Sequence, residues 1–211
     1  MAKKNKKDDK KPSGWNSITA AFDKMYPNQT EPLHFAPMIS WRLGGDDPLD
    51  GISVYEAKDF YHFVTYGFSE LYEKESSNSE YSGYGFELTL KLKKTKGVDE
   101  EELKCMGGIF QALARFVFSD SEIFQPYEYI YTGQKNGMDI KSESNITGFI
   151  TLPDEAGVID TPFGKLEFVQ LLGMTDKELM TIVDKKHTVR ELIEKFDLTN
   201  QLTDYTRGDL A

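Results

Sequence analysis

The chain of 211 residues is an acidic sequence, with 39% apolar residues and a net charge of −10. The first eleven residues carry six lysines and two aspartates, which leaves −14 for the remaining 200. An acidic body repels phosphate backbones and attracts basic proteins, so we expect no nucleic-acid partner. Solubility alone also explains such a surface. Because no run of 18 apolar residues occurs and only one cysteine is present, we expect no membrane span and a reducing, cytoplasmic location.

Composition divides the chain into two parts. Residues 1–12 are lysine-rich and lack apolar periodicity, which predicts a disordered tail. Residues 13–211 are predicted to form a single domain, because no proline- or glycine-rich linker and no internal repeat interrupts them. A domain of this length can bury a sizeable core.

The first half of the domain is predicted to begin with a helix over residues 13–25, where apolar side chains recur at spacings of three and four. An extended segment over 35–43 leads into a rigid corner at 44–50, in which two glycines and a proline fix the backbone. The third of the strands that follow alternates apolar and polar residues, which predicts one buried and one solvent-exposed face. These strands are predicted over 52–57, 60–68 and 85–93.

The second half is predicted to contain three more helices and three more strands. Four acids at 99–102 complement the dipole at the start of a helix, and we expect the paired glycines of that helix, at 107 and 108, to pack closely against the sheet. Thr175 and Thr188 begin two further helices. Strands are predicted over 127–131, 146–152 and 165–172. Because strands and helices intermix without strict alternation, the expected fold is α+β, with a mixed, largely antiparallel central sheet flanked by helices.

The sequence contains no recognisable catalytic or metal-binding set. The acids at 46, 47 and 50 lack the alternation of a calcium loop, so we interpret them as turn formers. The three histidines are widely separated, which argues against a zinc site. Ser82 precedes a glycine, but a strand follows where a nucleophile elbow requires a helix. We therefore expect a protein that is not an enzyme and that has no metal and no cofactor.

A surface for partner binding is the remaining candidate site. Three tyrosines alternate along the predicted strand at 127–131, and an exposed tyrosine stripe is a good binding platform. A stripe that faces inward and packs the core is an equal alternative. Acids in neighbouring loops extend the candidate surface. The expected partner-binding residues are Tyr127, Tyr129, Tyr131, Asp139, Asp154 and Glu155.

Four segments, in order, resemble the N-terminal domain of the Suppressor of fused family. They are Tyr-Pro at 26–27 with Gly-Gly-Asp-Asp-Pro-Leu-Asp at 44–50, His-Phe-Val-Thr-Tyr-Gly-Phe-Ser-Glu-Leu-Tyr at 62–72, Ser-Gly-Tyr-Gly-Phe-Glu-Leu-Thr-Leu-Lys-Leu at 82–92, and Thr-Pro-Phe-Gly at 161–164. Their order and spacing make the resemblance specific. It implies the fold of that family and a protein-binding role without chemistry. It also implies a peptide-holding role for Asp139, which falls near an aspartate with that role in the animal relatives.

The resemblance also implies what kind of partner to expect. Animal members clamp a transcription-factor peptide between this domain and a second one, and this chain ends where the second would begin. Stand-alone bacterial members resemble immunity proteins of toxin systems. The leading hypothesis is therefore a bacterial, cytoplasmic immunity protein, or antitoxin, that occludes the active surface of a basic toxin domain. A regulatory module that binds a peptide by strand addition at a sheet edge is the alternative, and a hydrolase with an unrecognised site is the third.

Overall fold

The computed structural model describes residues 13–210, so the predicted tail at 1–12 lies outside the described residues. The described chain forms seven strands, four α-helices and two short 3₁₀ turns. In chain order the elements are α1 (Gly14–Met25), β1 (Leu33–Phe35), the first 3₁₀ turn (Trp41–Leu43), β2 (Gly51–Glu56), β3 (Phe60–Tyr66), β4 (Tyr81–Lys93), α2 (Glu100–Asp120), β5 (Tyr129–Ile130), β6 (Ile146–Thr161), β7 (Gly164–Thr175), α3 (Asp176–Val183), α4 (Val189–Phe196) and the second 3₁₀ turn (Leu198–Asn200).

The strands form one sheet in the order β1-β2-β3-β4-β7-β6-β5. β4 and β7 run parallel, and every other neighbouring pair is antiparallel. The predicted α+β fold with a mixed, largely antiparallel sheet is therefore confirmed. β1 and β5 are the two edge strands of this sheet.

Helices lie on both faces of the sheet. α2 packs on one face, where Phe110 joins a cluster with Phe63 of β3. On the other face, Phe22 of α1 packs with Val64 of β3, and α3 and α4 cover β6 and β7. Successive residues of one strand thus enter different clusters, as the pleat of a strand requires.

The predicted helix starts are confirmed, and each has a side-chain cap. The hydroxyl of Ser13 accepts a hydrogen bond from the N–H of Asn16 at 3.2 Å. The Asp99 carboxylate accepts hydrogen bonds from the N–H groups of Glu101 and Glu102 in the first turn of α2, each at 3.1 Å. Thr175 and Thr188 each form a reciprocal capping box with the glutamate three residues later. Each of these caps is a local interaction, which is why the sequence predicts it.

The extended segment predicted over 35–43 is wrong for most of its length. β1 ends at Phe35, and a single 3₁₀ turn follows at Trp41–Leu43. Gly44 ends this turn in the left-handed region at φ 87°. Gly45 lies so close to the Ile39 carbonyl that a Cβ would approach its oxygen to 2.0 Å. The glycines therefore fold the chain back on the residues before them and do not join two strands directly.

The prediction that the polar face of β4 is exposed to solvent is wrong at Glu87 and Thr89 and holds at Lys93, which is exposed. Glu87 and Thr89 are both 0% exposed, like Leu88 and Leu90 on the apolar face. β4 lies in the centre of the sheet between β3 and β7, and apolar clusters cover both faces there. Alternation along one strand does not reveal that a second helical layer covers the polar side.

The C-terminal segment completes the sheet between β4 and β7. Thr203 forms a parallel bridge to Leu92 of β4, and its hydroxyl accepts a hydrogen bond from the N–H of Gly173 in β7 at 2.9 Å. The guanidinium of Arg207 then binds both carboxylate oxygens of Glu178 in α3, at 2.6 and 2.7 Å. These contacts hold the end of the chain against α3.

The paired glycines of α2 do not make the close contacts predicted for them. A Cβ on Gly108 would meet nothing within 4 Å, and a Cβ on Gly107 would meet side chains only at 3.7 Å or more. Gly108→Ala is therefore expected to raise the free energy of unfolding by about 1 kcal/mol, measured by urea denaturation, because alanine has the higher helix propensity. The control is Gly83→Ala, which should lose stability because Gly83 has a φ of +56°. If the Gly108→Ala protein is no more stable than wild type, the inference that Gly108 makes no close contact is contradicted.

Candidate functional site

The predicted tyrosine strand is shorter and less regular than expected. Only Tyr129–Ile130 forms β5, and Tyr127 lies outside it in the left-handed region at φ 74°. Tyr127 and Tyr131 are half-buried against the apolar cluster of α3 and α4, whereas Tyr129 is 46% exposed. The guanidinium of Arg190 stacks over the Tyr127 ring at 3.5 Å. The three tyrosines therefore do not form one exposed stripe, and Tyr129 presents the most accessible ring of the three.

β5 is an edge strand, and no strand among the described residues pairs with its outer side. On its inner side, the carbonyl of Glu128 accepts a hydrogen bond from the N–H of Thr151 in β6 at 2.9 Å. Because hydrogen bonds alternate in direction along an antiparallel strand, the N–H and C=O of Tyr129 point away from β6. The edge offers one donor and one acceptor to a further strand.

A groove of about 980 Å³ runs beside β5 and is termed here the β5 groove. Phe116 near the end of α2, Ile123 in the next loop and Val183 at the end of α3 are 47%, 47% and 36% exposed in this groove. Apolar side chains gathered on a surface mark binding sites more often than scattered ones do. Its charged lining residues are Glu122, Glu128, Lys185, Lys186 and Glu191.

Two further depressions continue the β5 groove. The first, of about 620 Å³, shares Ile123 and Tyr127 with the β5 groove and extends to Tyr84. The second, of about 490 Å³, shares Gly83 and Tyr84 with the first and reaches Trp41. We term the second depression the Trp41 pocket. The shared lining residues make the three depressions neighbours on the surface between β5 and Trp41.

None of the three predicted acids lines the β5 groove, and two of them, Asp139 and Glu155, bond to other parts of the chain. The carboxylate of Asp139 accepts hydrogen bonds from the N–H groups of Glu143 at 3.0 Å and Ser144 at 2.7 Å, and so organises its own loop. Burial acts to raise the pKa of the Asp139 carboxyl, but these hydrogen bonds hold the pKa below its ordinary value. Glu155 is exposed and pairs with Lys91 of β4 at 2.9 Å.

The predicted placement of Asp154 in a surface loop is wrong. β6 continues through this position by way of an irregularity between Pro153 and Val158, and Asp154 is only 4% exposed. Its carboxylate accepts hydrogen bonds from His62 Nε2 at 3.1 Å and from the Thr89 hydroxyl at 2.8 Å. A proline followed by two acids is typical of a turn, which explains the error. A carboxylate enclosed in this way cannot contact a partner.

The contacts of Asp154 extend to a buried histidine and a tyrosine. His62 is 0% exposed, and its Nδ1 lies 2.8 Å from the hydroxyl of Tyr26. A neutral ring satisfies both contacts, because Nε2–H donates to Asp154 while Nδ1 accepts from Tyr26. The order of groups resembles a catalytic triad. Burial, together with the nearby Glu155 and Asp154, raises the pKa of Tyr26, so its hydroxyl is a poor nucleophile. The arrangement is suited to fixing the end of α1 on the sheet.

A second buried carboxylate, Glu87, forms a separate cluster. It accepts hydrogen bonds from the Thr65 hydroxyl at 2.6 Å, the Gly67 N–H at 2.9 Å, and the Ser69 N–H and hydroxyl at 2.9 and 2.7 Å. Burial raises the pKa of Glu87 to about 7 in spite of these four donors. Gly67 and Ser69 also line the Trp41 pocket, so Glu87 fixes one wall of that pocket. The only sequence signal for Glu87 is an acid within a long alternating strand.

No metal centre is assembled in the part of the chain from 13 to 210, where no three His, Cys, Asp or Glu side chains are placed to share an ion. Asp47 instead pairs with Arg115 of α2 at 2.6 Å. Across those same described residues, no helix combines the length and the apolar character needed to cross a bilayer.

Fold and surface together define the class of the protein: an α+β domain with a mixed seven-stranded sheet, an open edge at β5 and an apolar groove beside that edge. The profile of the family described as Suppressor of fused protein matches residues 45–208. The chain belongs to the Suppressor of fused family, as the ordered motifs predict.

Known relatives agree with this assignment. The Suppressor of fused homologs of Homo sapiens and Mus musculus are each 30% identical over 180 residues, covering 79% of this chain and 36% of each relative. The chain thus spans about a third of the length of these curated relatives. The Sufu-Fu complex crystal structure matches 93% of this chain and 91% of its own, with a TM-score of 0.79 and 27% identity. Drosophila Suppressor of Fused matches 93% of this chain and 51% of its own, with a TM-score of 0.79 and 26% identity.

Proposed function

We propose that this chain is a non-enzymatic protein-binding domain that takes up an extended segment of its partner as a new strand beside β5. The observation that carries the proposal is the open edge of β5 next to an apolar groove. An added strand would bond to the N–H and C=O of Tyr129, and its alternate side chains would enter the groove. One similar solved structure is described as a complex, which supports a protein partner here.

We also propose that the protein catalyses no reaction. The Tyr26, His62 and Asp154 arrangement has the residue types of an acid–base site, but His62 is 0% exposed and Asp154 is 4% exposed. A substrate has no access to either group. This burial favours a binding protein over a hydrolase.

Charge suggests a finer proposal for the identity of the partner. The 200 residues after the lysine-rich segment carry a net charge of −14, which favours a basic partner through long-range attraction. We propose as the second candidate that the partner is a basic toxin domain and that the chain is its cytoplasmic immunity protein. Covering the active surface of the toxin would neutralise it without any reaction.

The β5 proposal predicts that Tyr129→Pro weakens binding about tenfold, because proline removes the outward N–H that would bond to the added strand. The hydrogen bond that the Thr151 N–H of β6 donates to the Glu128 carbonyl is kept, and edge strands tolerate proline. The partner to use is the product of a toxin gene adjacent to the gene of this chain. Isothermal titration calorimetry measures the affinity, and growth during toxin expression measures protection.

Tyr129→Ala is the matched control, since it keeps the backbone donor and removes only the ring. A larger loss for proline than for alanine is expected. Equal affinity of Tyr129→Pro and wild type would rule out strand addition at β5. Failure of the toxin to bind wild type, with no protection of growth, would reject the immunity role but not the use of the edge by another partner.

A further inference from the structure

The Trp41 pocket combines aromatic walls with carboxylates. Its aromatic lining consists of Trp41, Phe68, Tyr72, Tyr84 and Phe118. Its acidic lining consists of Asp50, Glu70 and Glu75. Aromatic faces attract cations through the ring quadrupole, and carboxylates add charge pairing and hydrogen bonds. A pocket of about 490 Å³ with both kinds of wall is suited to an organic cation.

The chain itself already places a guanidinium at this pocket. Arg42 lines it, with the guanidinium carbon 5.5 Å from the centroid of the Tyr72 ring. The same group pairs with Glu75 and lies 3.6 Å from a carboxylate oxygen of Glu73. The Arg42 side chain is 49% exposed, and it shares the pocket lining with the aromatic rings and the carboxylates. The local chemistry therefore accommodates a cation stacked on tyrosine and paired with carboxylates.

Asp50 is a further carboxylate of the lining, and it lies outside the ion pairs of Arg42 with Glu73 and Glu75. Its carboxylate is half-buried and interacts with the hydroxyl of Tyr72. Burial raises the pKa of Asp50, although the charge of Arg42 opposes the rise. The guanidinium of Arg42 is paired with Glu73 and Glu75, so a carboxylate remains available for an incoming positive group.

Exposed apolar residues next to Trp41 in sequence form what we term the rim. Met38, Ile39 and Leu43 flank Trp41 in sequence and are 103%, 58% and 82% exposed. The turn that carries them is fixed by the close approach of Gly45 to the Ile39 carbonyl. Exposed apolar side chains on a rigid turn lose little conformational entropy when a partner covers them. The rim thus favours a protein ligand over a free small cation.

We propose that the Trp41 pocket binds an arginine side chain of a protein partner, with the ring of Tyr72 and the carboxylate of Asp50 as its principal contacts. Arginine fits better than lysine, because its planar guanidinium both stacks on aromatic rings and forms paired hydrogen bonds with a carboxylate. The proposal rests on the proposed function in one respect: because the three depressions are neighbours, one bound segment would reach both β5 and this pocket.

A test without any partner uses N-acetyl-L-arginine amide as the probe. Titration of the ¹⁵N-labelled full chain is expected to shift the indole N–H of Trp41 saturably, with a dissociation constant on the order of millimolar for so small a ligand. Trp15, the other tryptophan, lies behind Tyr72 at 6.5 Å between ring centroids and should shift less. N-acetyl-L-citrulline amide, a neutral analogue of the same shape, should bind about tenfold more weakly.

Two variants change the affinity in opposite directions. Asp50→Asn should weaken binding of the arginine probe about fivefold, because the carboxylate is lost while the side-chain shape is kept. Arg42→Gln should strengthen it about threefold, because the resident cation no longer repels the probe or competes with it for the Tyr72 ring. Circular dichroism verifies that both variants are folded.

Several results would overturn the proposal. Equal binding of the arginine and citrulline probes, or unchanged affinity in Asp50→Asn, would show that charge at this pocket is not recognised. Dimerisation of the chain that Leu43→Ser abolishes would assign the rim to a second copy. Because the probe assay needs no partner, its failure would leave strand addition at β5 standing, and failure of the Tyr129→Pro test would leave the arginine site standing.

Discussion

Asp154→Ala is expected to lower the free energy of unfolding by about 4 kcal/mol, measured by urea denaturation at neutral pH. The change removes the acceptor for three buried donors: His62 Nε2–H, the Thr89 hydroxyl and the Ala156 N–H. Each donor left without a partner costs about 1 to 3 kcal/mol. The loss should extend to α1, because His62 would no longer be held in place beneath Tyr26.

The neighbouring residue supplies the control for this prediction. Glu155→Ala removes an exposed carboxylate that pairs with Lys91, so its effect should stay within about 0.5 kcal/mol. Asp154→Asn keeps one acceptor oxygen and should fall between the two. A loss of less than about 1 kcal/mol in Asp154→Ala would show that the buried donors find other partners and that the network contributes little.

Glu87→Gln is expected to remove a dependence of stability on pH that wild type has. The pKa of Glu87 rises from 4.5 to about 7 on folding, so the folded chain holds a proton that the unfolded chain has already lost between these values. The resulting stability is fully present below pH 4.5 and is lost as pH rises through about 7. Glutamine does not ionise. Relative to Glu87→Gln, wild type should therefore lose about 3 kcal/mol between pH 4.5 and pH 8.

Thr65 lets the cluster accept either protonation state of Glu87. Its hydroxyl lies 2.6 Å from Glu87 Oε2 and 3.3 Å from the carbonyl oxygen of Leu88. With Glu87 ionised, the hydroxyl donates to the carboxylate. With Glu87 protonated, the new O–H donates to Thr65, which donates in turn to Leu88.

Glu70 provides a control of opposite sign. Burial acts to raise its pKa, but Lys74 and the N–H groups of Ser76, Glu75 and Gly83 lower it to about 2. Stability from Glu70 is therefore present above pH 4.5 and is lost only as pH falls towards about 2. Glu70→Gln should leave the pH dependence between pH 4.5 and pH 8 unchanged. Parallel stability profiles of wild type and Glu87→Gln in that range would contradict the role assigned to Glu87.

Structural features that depend on residues close together in the sequence could be predicted. Features that depend on residues far apart in the sequence could not. Ser13, Asp99, Thr175 and Thr188 begin helices through bonds to residues two or three positions away, so the sequence predicts them. The buried polar side chains of β4 have partners distant in sequence, which its alternation does not reveal: Glu87 bonds to Thr65, and Thr89 bonds to Asp154. The sequence predicts a loop at Asp154 because the segment has the composition of a turn. In the structure, pairing with β7 extends β6 through this segment.

The candidate site also has features that the sequence predicts and features that it does not. Tyrosine composition indicates the β5 region, because aromatic residues concentrate at binding surfaces. Which tyrosine is exposed depends on the left-handed backbone of Tyr127 and on contacts with α3 and α4. The Trp41 pocket joins a turn before β2, the loop after β3 and the end of α2. The spacing of residues within any one of these segments does not reveal that the three together form a pocket.

Amide hydrogen exchange at Tyr129 tests the central claim most directly. Exchange of this N–H is compared, by NMR, between the free chain and the chain saturated with a protein that binds it. If the partner adds a strand beside β5, the Tyr129 N–H should exchange more than tenfold more slowly in the complex, because it becomes a bonded group of the sheet. An unchanged exchange rate at full saturation would mean that the partner binds elsewhere and that the β5 edge is not the docking site.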